Sequence, residues 1–380
     1  MGTYTLAATA TFGLESVVSS ELEALGCSGV SVENGQAVFS GGEADIARCN
    51  LWLRSADRLL VRLAEFGVSG PDDVYEGVRT VSWRDFIPAS ARIVVTAKSV
   101  RAPRGSPAAG PGVPTLQSVG KKAIVDALTG KSGGRLEETG PLYPVRIALS
   151  GGRAVVTLDT SGAGLHKRGY RAEAGEAPLK ETLAAGIVIL SRWDPSRPFA
   201  DPLCGSGTIA IEAALIAANA APGLSRSFAA EEWPHIPADE WRRARQEAAA
   251  ARLGNRPDIL ATDRDARVLA MAARNAERAG VADMIVFRAM DLAQLRLEGR
   301  YGCIVTNPPY AERIGDARDV EELYRLLGRL YTSLPSWSLF ALCAHHGFQK
   351  LFGGKATKNR KLYNGNILCY LHQYYGPLPG

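Results

Sequence analysis

The sequence predicts an α/β protein in which the second half forms a mostly parallel β-sheet and the first half forms a smaller α+β unit. From residue 181 onward, short apolar segments alternate with longer segments that are apolar at helical spacing. That alternation is typical of a parallel sheet with crossover helices. Residues 197–215 also fit the order strand, turn and helix, because an apolar run precedes Gly205 and Gly207 and a helical pattern follows them.

Length and composition narrow the class of protein. The chain has 380 residues, enough for two or three domains of about 100 to 200 residues each. Its net charge of +5 permits a nucleic-acid partner without requiring one. The six cysteines contain no C-x-x-C pair, so neither a zinc site nor a disulfide framework is suggested. With no signal-peptide pattern and no run of about 18 apolar residues, we expect a cytoplasmic protein without a membrane span or a metal.

The first half has the pattern of an α+β unit. Its predicted elements are strands over 4–10, 92–97 and 155–158 and helices over 14–25, 46–60 and 117–128. The last of these helices is amphipathic and carries Lys121 and Lys122. Residues 102–114 are rich in Gly and Pro and predict a loop.

Residues 165–171 combine three cations with an aromatic ring. Lys167, Arg168 and Arg171 flank Tyr170, and His166 precedes them. Such a composition can meet phosphate groups and stack on a base, although a solvated loop explains it equally well. A boundary is predicted next, over 172–180.

The second half supplies the candidate chemistry. Its further predicted elements are helices over 181–193, 268–279 and 323–334 and strands over 259–262, 284–287, 338–344 and 366–375. The basic run over 355–361 fits either a phosphate contact or a solvated turn, and the turn is slightly favoured. No lysine follows the glycine turn and no third glycine is present, so neither a triphosphate nor a dinucleotide is indicated. The acid that precedes the turn, Asp201, suits a cationic nucleoside instead, and S-adenosylmethionine is one.

Two further acids end neighbouring strands. Asp263 ends the next predicted strand, where a carboxylate can accept both ribose hydroxyls. It comes about sixty residues after the glycine turn rather than the usual ~20, so residues 220–257 form an insertion. Asp291 ends the third strand of the series.

The sequence Asn307-Pro-Pro-Tyr310 follows an apolar strand and is the most specific signal. The prolines fix the backbone, so that the Asn307 side-chain carbonyl and the Pro308 main-chain carbonyl can face one pocket. Two acceptors of this kind orient a planar amino group, while Tyr310 can stack on the attached ring. The predicted reaction is methyl transfer to an exocyclic nitrogen, without a metal or a covalent intermediate.

With these motifs in view, the chain resembles the class I S-adenosylmethionine-dependent RNA methyltransferases that carry an N-terminal THUMP domain, the group similar to the N-terminal half of ribosomal RNA large-subunit methyltransferase L. The resemblance covers nearly the whole chain. It rests on residues 8–15, 117–123, 165–171, 177–184, 201–208, 263–281, 307–310 and 362–366. Two positions depart from the family pattern: Ala311 replaces a usual glycine, and the 102–114 stretch is longer than expected.

The resemblance implies a Rossmann-like methyltransferase domain with a mostly parallel seven-stranded sheet, preceded by an α+β ferredoxin-like and THUMP module that binds RNA. The implied domains are 1–60 (ferredoxin-like), 61–160 (THUMP), 161–180 (linker) and 181–380 (methyltransferase). The implied catalytic residues are Asn307, Pro308, Pro309 and Tyr310. The implied S-adenosylmethionine site is Pro178, Leu179, Asp201, Cys204, Gly205, Gly207, Asp263, Arg264, Asp291 and Asn307. The implied RNA contacts are Lys121, Lys122, His166, Lys167, Arg168, Tyr170 and Arg171.

The family pattern implies formation of N2-methylguanosine in structured RNA, with 23S rRNA as the first expectation and tRNA as the alternative. Adenine N6 methylation of DNA or RNA uses the same four residues as 307–310, so the motif alone does not separate it. A cytosine C5 methyltransferase needs a cysteine in that loop, and residues 307–310 contain none. An inactive RNA-binding protein with this fold is disfavoured because Asp201, Asp263, Asn307 and Tyr310 are all present.

Overall fold

The computed structural model describes residues 2–100, 110–130, 132–171, 179–310 and 317–379, and these ranges contain two seven-stranded sheets. The first half supplies one sheet and the second half supplies the other. Each sheet has its own hydrophobic core. Of the predicted features, most of the 102–114 loop, Pro178 and Ala311 lie outside the described residues.

The first sheet has the order β2-β3-β1-β4-β7-β6-β5, and its neighbours are antiparallel except for the parallel pair β5 and β6. Its elements are β1 (Tyr4–Ala10), α1 (Glu15–Ala24), β2 (Ser28–Glu33), β3 (Gln36–Gly41), α2 (Glu43–Trp52), β4 (Ala56–Gly67), α3 (Pro71–Arg79), α4 (Trp83–Phe86), β5 (Arg92–Val100), α5 (Val113–Thr129), β6 (Leu142–Ser150) and β7 (Arg153–Asp159).

The predicted helix over 46–60 is wrong in its second part. Helix α2 ends at Trp52, and residues 56–60 belong to the central strand β4. The run Leu59-Leu60-Val61 has no clear period, so its sequence fits a buried helix or a buried strand equally well. Pairing with β1 on one side and β7 on the other makes it a strand. Because β4 continues through residue 60, the predicted boundary between 60 and 61 falls inside one strand, and the division there stays a prediction.

The second sheet has the order β10-β9-β8-β11-β12-β14-β13. Strands β8 to β12 run parallel, β14 is antiparallel to β12, and β13 is antiparallel to β14. The predicted, mostly parallel, seven-stranded sheet is confirmed. Its elements are α6 (Glu181–Leu190), β8 (Phe199–Asp201), α7 (Thr208–Ala217), α8 (Ala238–Ala250), β9 (Ile259–Asp263), α9 (Ala266–Arg278), β10 (Ile285–Ala289), β11 (Cys303–Thr306), α10 (Ala317–Thr332), β12 (Ser338–Cys343), α11 (Phe348–Phe352), β13 (Lys358–Asn364) and β14 (Ile367–Tyr374).

The insertion over 220–257 joins the two halves. The Trp233 ring stacks on Tyr143 of β6 with centroids 4.7 Å apart, and its indole N–H donates to the Leu142 carbonyl at 2.9 Å. Phe228 stacks on Trp241 of α8, and both rings belong to the core of the first half. The insertion therefore fills the core of the first sheet although it lies within the second half of the chain.

Across the described ranges, no helix has the length and apolarity needed to cross a membrane. Within the same ranges, no cluster of three or more His, Cys, Asp and Glu side chains has the arrangement of a metal site.

Candidate active site

The carboxyl ends of β8 and β11 form the central feature of the second sheet. The strand order reverses there. Strands β9 and β10 lie on one side of β8, and strands β11 and β12 lie on its other side. In open α/β sheets, ligands bind at the carboxyl ends of the strands at such a switch point. Asp201 ends β8 and Asn307 directly follows β11, so the topology brings both residues to this edge.

The glycine turn after β8 leaves its backbone open to a ligand. Gly207 has φ +81° and its N–H donates to the Cys204 carbonyl at 2.8 Å, while the Cys204 N–H donates to Thr262 of β9 at 2.9 Å. A Cβ on Gly207 would lie 3.0 Å from Ala272 of α9, whereas one on Gly205 would meet no heavy atom within 4 Å. The turn is therefore packed against α9 on one side and borders open space on the other, which fits a bound nucleoside.

Asp201 is a buried acid with an altered ionisation. It is 1% exposed, and burial raises its pKa to about 7. The Thr306 hydroxyl and the Leu203 N–H, at 3.4 Å, lower the pKa, and the neighbouring Asp263 carboxylate raises it further. A cationic group placed here would favour the charged carboxylate, so the donor set fits the ammonium or sulfonium of S-adenosylmethionine.

The other predicted cofactor residues surround the same edge. One Asp263 oxygen accepts from the Gly205 N–H at 3.1 Å and the other accepts from Asp265 at 3.0 Å. Asp291 is exposed and caps the short helix 292–294 through Ala293, at 2.8 Å. The remaining predicted positions differ in exposure: Arg264 is exposed, whereas Leu179 and Cys204 are buried.

The tetrapeptide after β11 is held by contacts that the sequence did not reveal. The Tyr310 hydroxyl donates to Asn307 Oδ1 at 2.6 Å, and the ring is only 8% exposed. The Cys369 thiol donates to the Tyr310 oxygen at 3.5 Å, and Tyr324 of α10 donates to the Pro309 carbonyl at 2.8 Å. Burial raises the pKa of Tyr310, so the phenol remains a neutral donor. In this arrangement the Tyr310 hydroxyl uses one of the two lone pairs of Asn307 Oδ1, and its role in stacking on a base stays a prediction.

Residues 165–171 differ most from their prediction. Arg168 is 3% exposed and lies 3.6 Å from the fully buried Glu212 of α7, and the Tyr170 hydroxyl donates to the same carboxylate at 3.0 Å. Arg171 donates to the Thr208 hydroxyl at 2.6 Å and to the Leu179 carbonyl at 3.0 Å. Arg168 and Tyr170 are buried against Glu212, so the structure does not support their predicted RNA contacts. Arg171 is half-buried beside Thr208 at the start of α7, and its RNA contact stays a prediction.

The other predicted RNA-contact residues remain accessible to different extents. Burial and the nearby Lys180 lower the pKa of His166 to about 4, so this ring is neutral at pH 7 and adds no charge. Lys167 is exposed. Lys121 pairs with Glu138 at 2.7 Å and Lys122 with Asp126 at 3.1 Å, and both lysine side chains remain about half exposed.

The strand order, the glycine turn and the acids at the strand ends define an S-adenosylmethionine-dependent methyltransferase of the Rossmann-like class. The chain belongs to the RMKL-like methyltransferase domain family, whose model matches residues 168–373. Residues 5–60 match the RlmL ferredoxin-like domain. The fold class, the cofactor and the family predicted from the sequence are thereby confirmed.

Two curated relatives and two solved structures resemble the chain over nearly its whole length. The putative RNA methyltransferase YpsC of Bacillus subtilis is 45% identical over 99% of this chain and 97% of its own. The ribosomal RNA large subunit methyltransferase K/L of Photobacterium profundum is 36% identical over 95% of this chain, which spans only 51% of that protein. The structure of SMU.472, a putative methyltransferase complexed with SAH, superposes with a TM-score of 0.92 at 39% identity over all of both chains. That of a predicted N6-adenine-specific DNA methylase from Listeria monocytogenes gives 0.91 at 43% identity over 99% of this chain and 97% of its own.

Proposed function

We propose that this protein is an RNA methyltransferase that forms N2-methylguanosine, with 23S rRNA as its substrate. The observation that supports this most directly is the tetrapeptide Asn307–Tyr310 at the carboxyl end of β11, beside the glycine turn after β8. The bound cofactor supplies an electrophilic methyl group. Asp201, Asp263 and the turn at Gly205 hold its polar groups, and Asp291 is proposed to meet the adenine.

The reacting group on the substrate is an amino nitrogen whose lone pair is conjugated into a base, so it is a poor nucleophile. The Asn307 Oδ1 and the Pro308 carbonyl accept its two hydrogens and stabilise the positive charge that develops on the nitrogen. Because that charge grows toward the transition state, these acceptors stabilise the transition state more than the bound base. The Tyr310 hydroxyl donates to Asn307 Oδ1, and the second lone pair of that oxygen is left to accept from the amino group. Tyr310 is proposed to stack on the base.

RNA as the substrate class is supported by the relatives, of which one is named a putative RNA methyltransferase and another a ribosomal RNA methyltransferase. This chain spans only 51% of the K/L protein, so the activity of that longer protein is a proposal for this chain. We propose that residues 1–160, divided into ferredoxin-like (1–60) and THUMP (61–160) parts, hold the RNA, with residues 161–180 as the linker to 181–380. Lys121, Lys122 and Lys167 are accessible for phosphate contacts.

A second candidate is methylation of adenine N6. The same tetrapeptide can orient an adenine amino group, and a structure that superposes on nearly the whole chain is described as a predicted N6-adenine-specific DNA methylase. Transfer RNA is a further candidate for the guanine reaction.

Identification of the methylated nucleoside tests the proposal. The enzyme is incubated with methyl-labelled S-adenosylmethionine and one substrate at a time. The three substrates are 23S rRNA from cells that lack this protein, tRNA from the same cells, and duplex DNA. Digestion to nucleosides and mass spectrometry should place the label in N2-methylguanosine from 23S rRNA. Label in N6-methyladenosine, or label in DNA alone, would contradict the guanine assignment. Label in tRNA alone would show that tRNA is the substrate instead of 23S rRNA.

A further inference from the structure

An aromatic pair, one ring exposed and the other half-buried, lies where the two halves of the chain meet. Phe12, in the loop between β1 and α1, is 48% exposed. Its ring lies edge-to-face with Tyr363 of β13, with centroids 6.1 Å apart and an interplanar angle of 82°. The Lys361 ammonium lies 5.7 Å from the centre of the Tyr363 ring. We call Phe12, Lys361 and Tyr363 the aromatic platform.

The loop that carries Phe12 is fixed on β13. The Arg360 guanidinium donates to the Gly13 carbonyl at 2.8 Å and lies 3.3 Å from the Ser16 hydroxyl. The Gly13 N–H donates to Glu15 at 2.8 Å. A Cβ on Gly13 would lie 2.3 Å from the Lys361 carbonyl, so only glycine permits this approach of the two backbones. The loop that carries Phe12 is therefore closely packed, and it holds the ring in an exposed position.

The platform lies at the same edge of the sheet as the tetrapeptide. Strand β14 is antiparallel to β12, with Tyr370 opposite Cys343, the last residue of β12. The beginning of β14 and the end of β13 therefore extend past the carboxyl end of the parallel strands. Tyr363 pairs with Leu368, the neighbour of the Cys369 whose thiol contacts the Tyr310 hydroxyl. Tyr363 is thus one residue along β13 from Leu362, whose cross-strand partner is Cys369, although neighbouring side chains of a strand point to opposite faces of the sheet.

The charge around the platform favours an anionic partner. Lys361 on β13 is exposed, and Arg360 adds a second cation that is partly engaged by the loop. Glu15, at the start of α1, accepts backbone N–H groups from Gly13 and Gly35, so part of its charge is compensated. Two aromatic rings beside two cations match the composition that binds single-stranded nucleic acid by stacking and phosphate contact.

We propose that the aromatic platform stacks an unpaired base of the RNA next to the methylated nucleotide. This rests on the proposed RNA substrate. A nucleotide that enters the tetrapeptide site must leave its helix, so its neighbour loses a stacking partner. Phe12 and Tyr363 replace that partner, and Lys361 meets the adjoining phosphate. Stacking tolerates any base, so the platform secures the flanking nucleotide while the tetrapeptide selects the target.

The test compares RNA binding by the full-length protein and three variants. The probe is a fluorescein-labelled single-stranded RNA of about twenty nucleotides, with 2-aminopurine beside a central guanosine in a second version. Phe12→Ala removes the ring and Phe12→Tyr keeps it. Tyr375→Ala is the matched control, because Tyr375 is an equally exposed aromatic (47%) just beyond the opposite end of β14. Affinity for S-adenosylhomocysteine, measured by calorimetry, shows that each variant keeps the cofactor site.

Phe12→Ala should weaken RNA binding roughly tenfold and abolish quenching of 2-aminopurine, with unchanged cofactor affinity. Phe12→Tyr and Tyr375→Ala should bind RNA as the unmodified protein does. RNA affinity and quenching that are unaltered in Phe12→Ala would overturn the platform and leave the proposed RNA methyltransferase activity intact. An unmodified protein that binds cofactor but no RNA would overturn both.

Discussion

The ionisation of Asp201 predicts how cofactor affinity depends on pH. Its pKa of about 7 means that only ~3% of the molecules carry the carboxylate at about pH 5.5 and ~75% carry it at about pH 7.5. If S-adenosylmethionine binds the charged form alone, the apparent dissociation constant is the intrinsic one divided by that fraction. Affinity should therefore rise roughly 25-fold over this range. The comparison stops at about pH 7.5 because the α-amino group of the ligand begins to lose its own proton near pH 8.

Isothermal titration calorimetry in two buffers of different ionisation enthalpy measures both the affinity and the protons released. Near pH 6 the protein should release about one proton per cofactor bound, because most of its Asp201 is protonated beforehand. Asp201→Asn is the matched variant, since it keeps the shape and removes the titration. Its affinity should be lower than that of the unmodified protein throughout this pH range and should change little with pH.

The same group also controls the stability of the cofactor-free protein. Burial raises the pKa of Asp201 from 3.8 to about 7. Between these two pH values the carboxyl group is therefore protonated in the folded protein and ionised in the unfolded protein. Stability is therefore highest below about pH 4 as far as this group is concerned, and on the order of 4 kcal/mol is lost as pH rises to 7. Asp201→Asn should remove that slope in urea titrations. A cofactor affinity that is flat with pH in the unmodified protein, or equally steep in Asp201→Asn, would refute the reasoning.

Three further outcomes follow from the geometry. Gly207→Ala should weaken cofactor binding and lower the melting temperature, since φ is +81° and the new methyl would press on Ala272; calorimetry and a thermal scan measure both effects. Glu212→Ala should cost roughly 3 to 5 kcal/mol in urea unfolding because Arg168 loses its buried partner, whereas Glu212→Gln should cost less. Asp263→Ala should lower cofactor affinity roughly ten- to a hundredfold, and an unchanged titration would remove this residue from the site.

The sequence predicted strands β8, β9 and β11 of the second sheet well because each is short, apolar and ends in, or is followed by, a distinctive residue. Asp201, Asp263 and Asn307 come at the ends of parallel strands, so local pattern and strand direction together place them at one edge. No long-range information was needed. The roles assigned to these residues rest on that placement and stay predictions until the cofactor and substrate are measured.

Two of the failures share a cause, which is a partner distant in the sequence. Strand β4 looked helical because its neighbours β1 and β7 lie about fifty and a hundred residues away. Strand β13 looked like a solvated turn for another reason, since it is rich in cations and lies at the edge of the sheet that the described residues form. The composition of residues 165–171 predicted a surface cation at Arg168, because it does not show that the partner of Arg168, Glu212, lies in the core. A charged residue is placed in the interior by its partner, and the spacing between the two carries no sequence signal.

Contacts between the halves bear on how the enzyme selects its target. Trp233 lies in the core of the first half, Arg168 binds Glu212 of α7, and Arg360 fixes the loop of Gly13. A chain shortened to begin near residue 171 would expose the insertion aromatics and leave Glu212 buried without its cation, so a loss of RNA binding by such a fragment would not isolate an RNA-binding role. The same contacts set the position of the first half relative to the tetrapeptide in the structure. If residues 1–160 bind the RNA as proposed, the nucleotide that reaches Asn307 would depend on the spacing between the two halves as well as on recognition of the base.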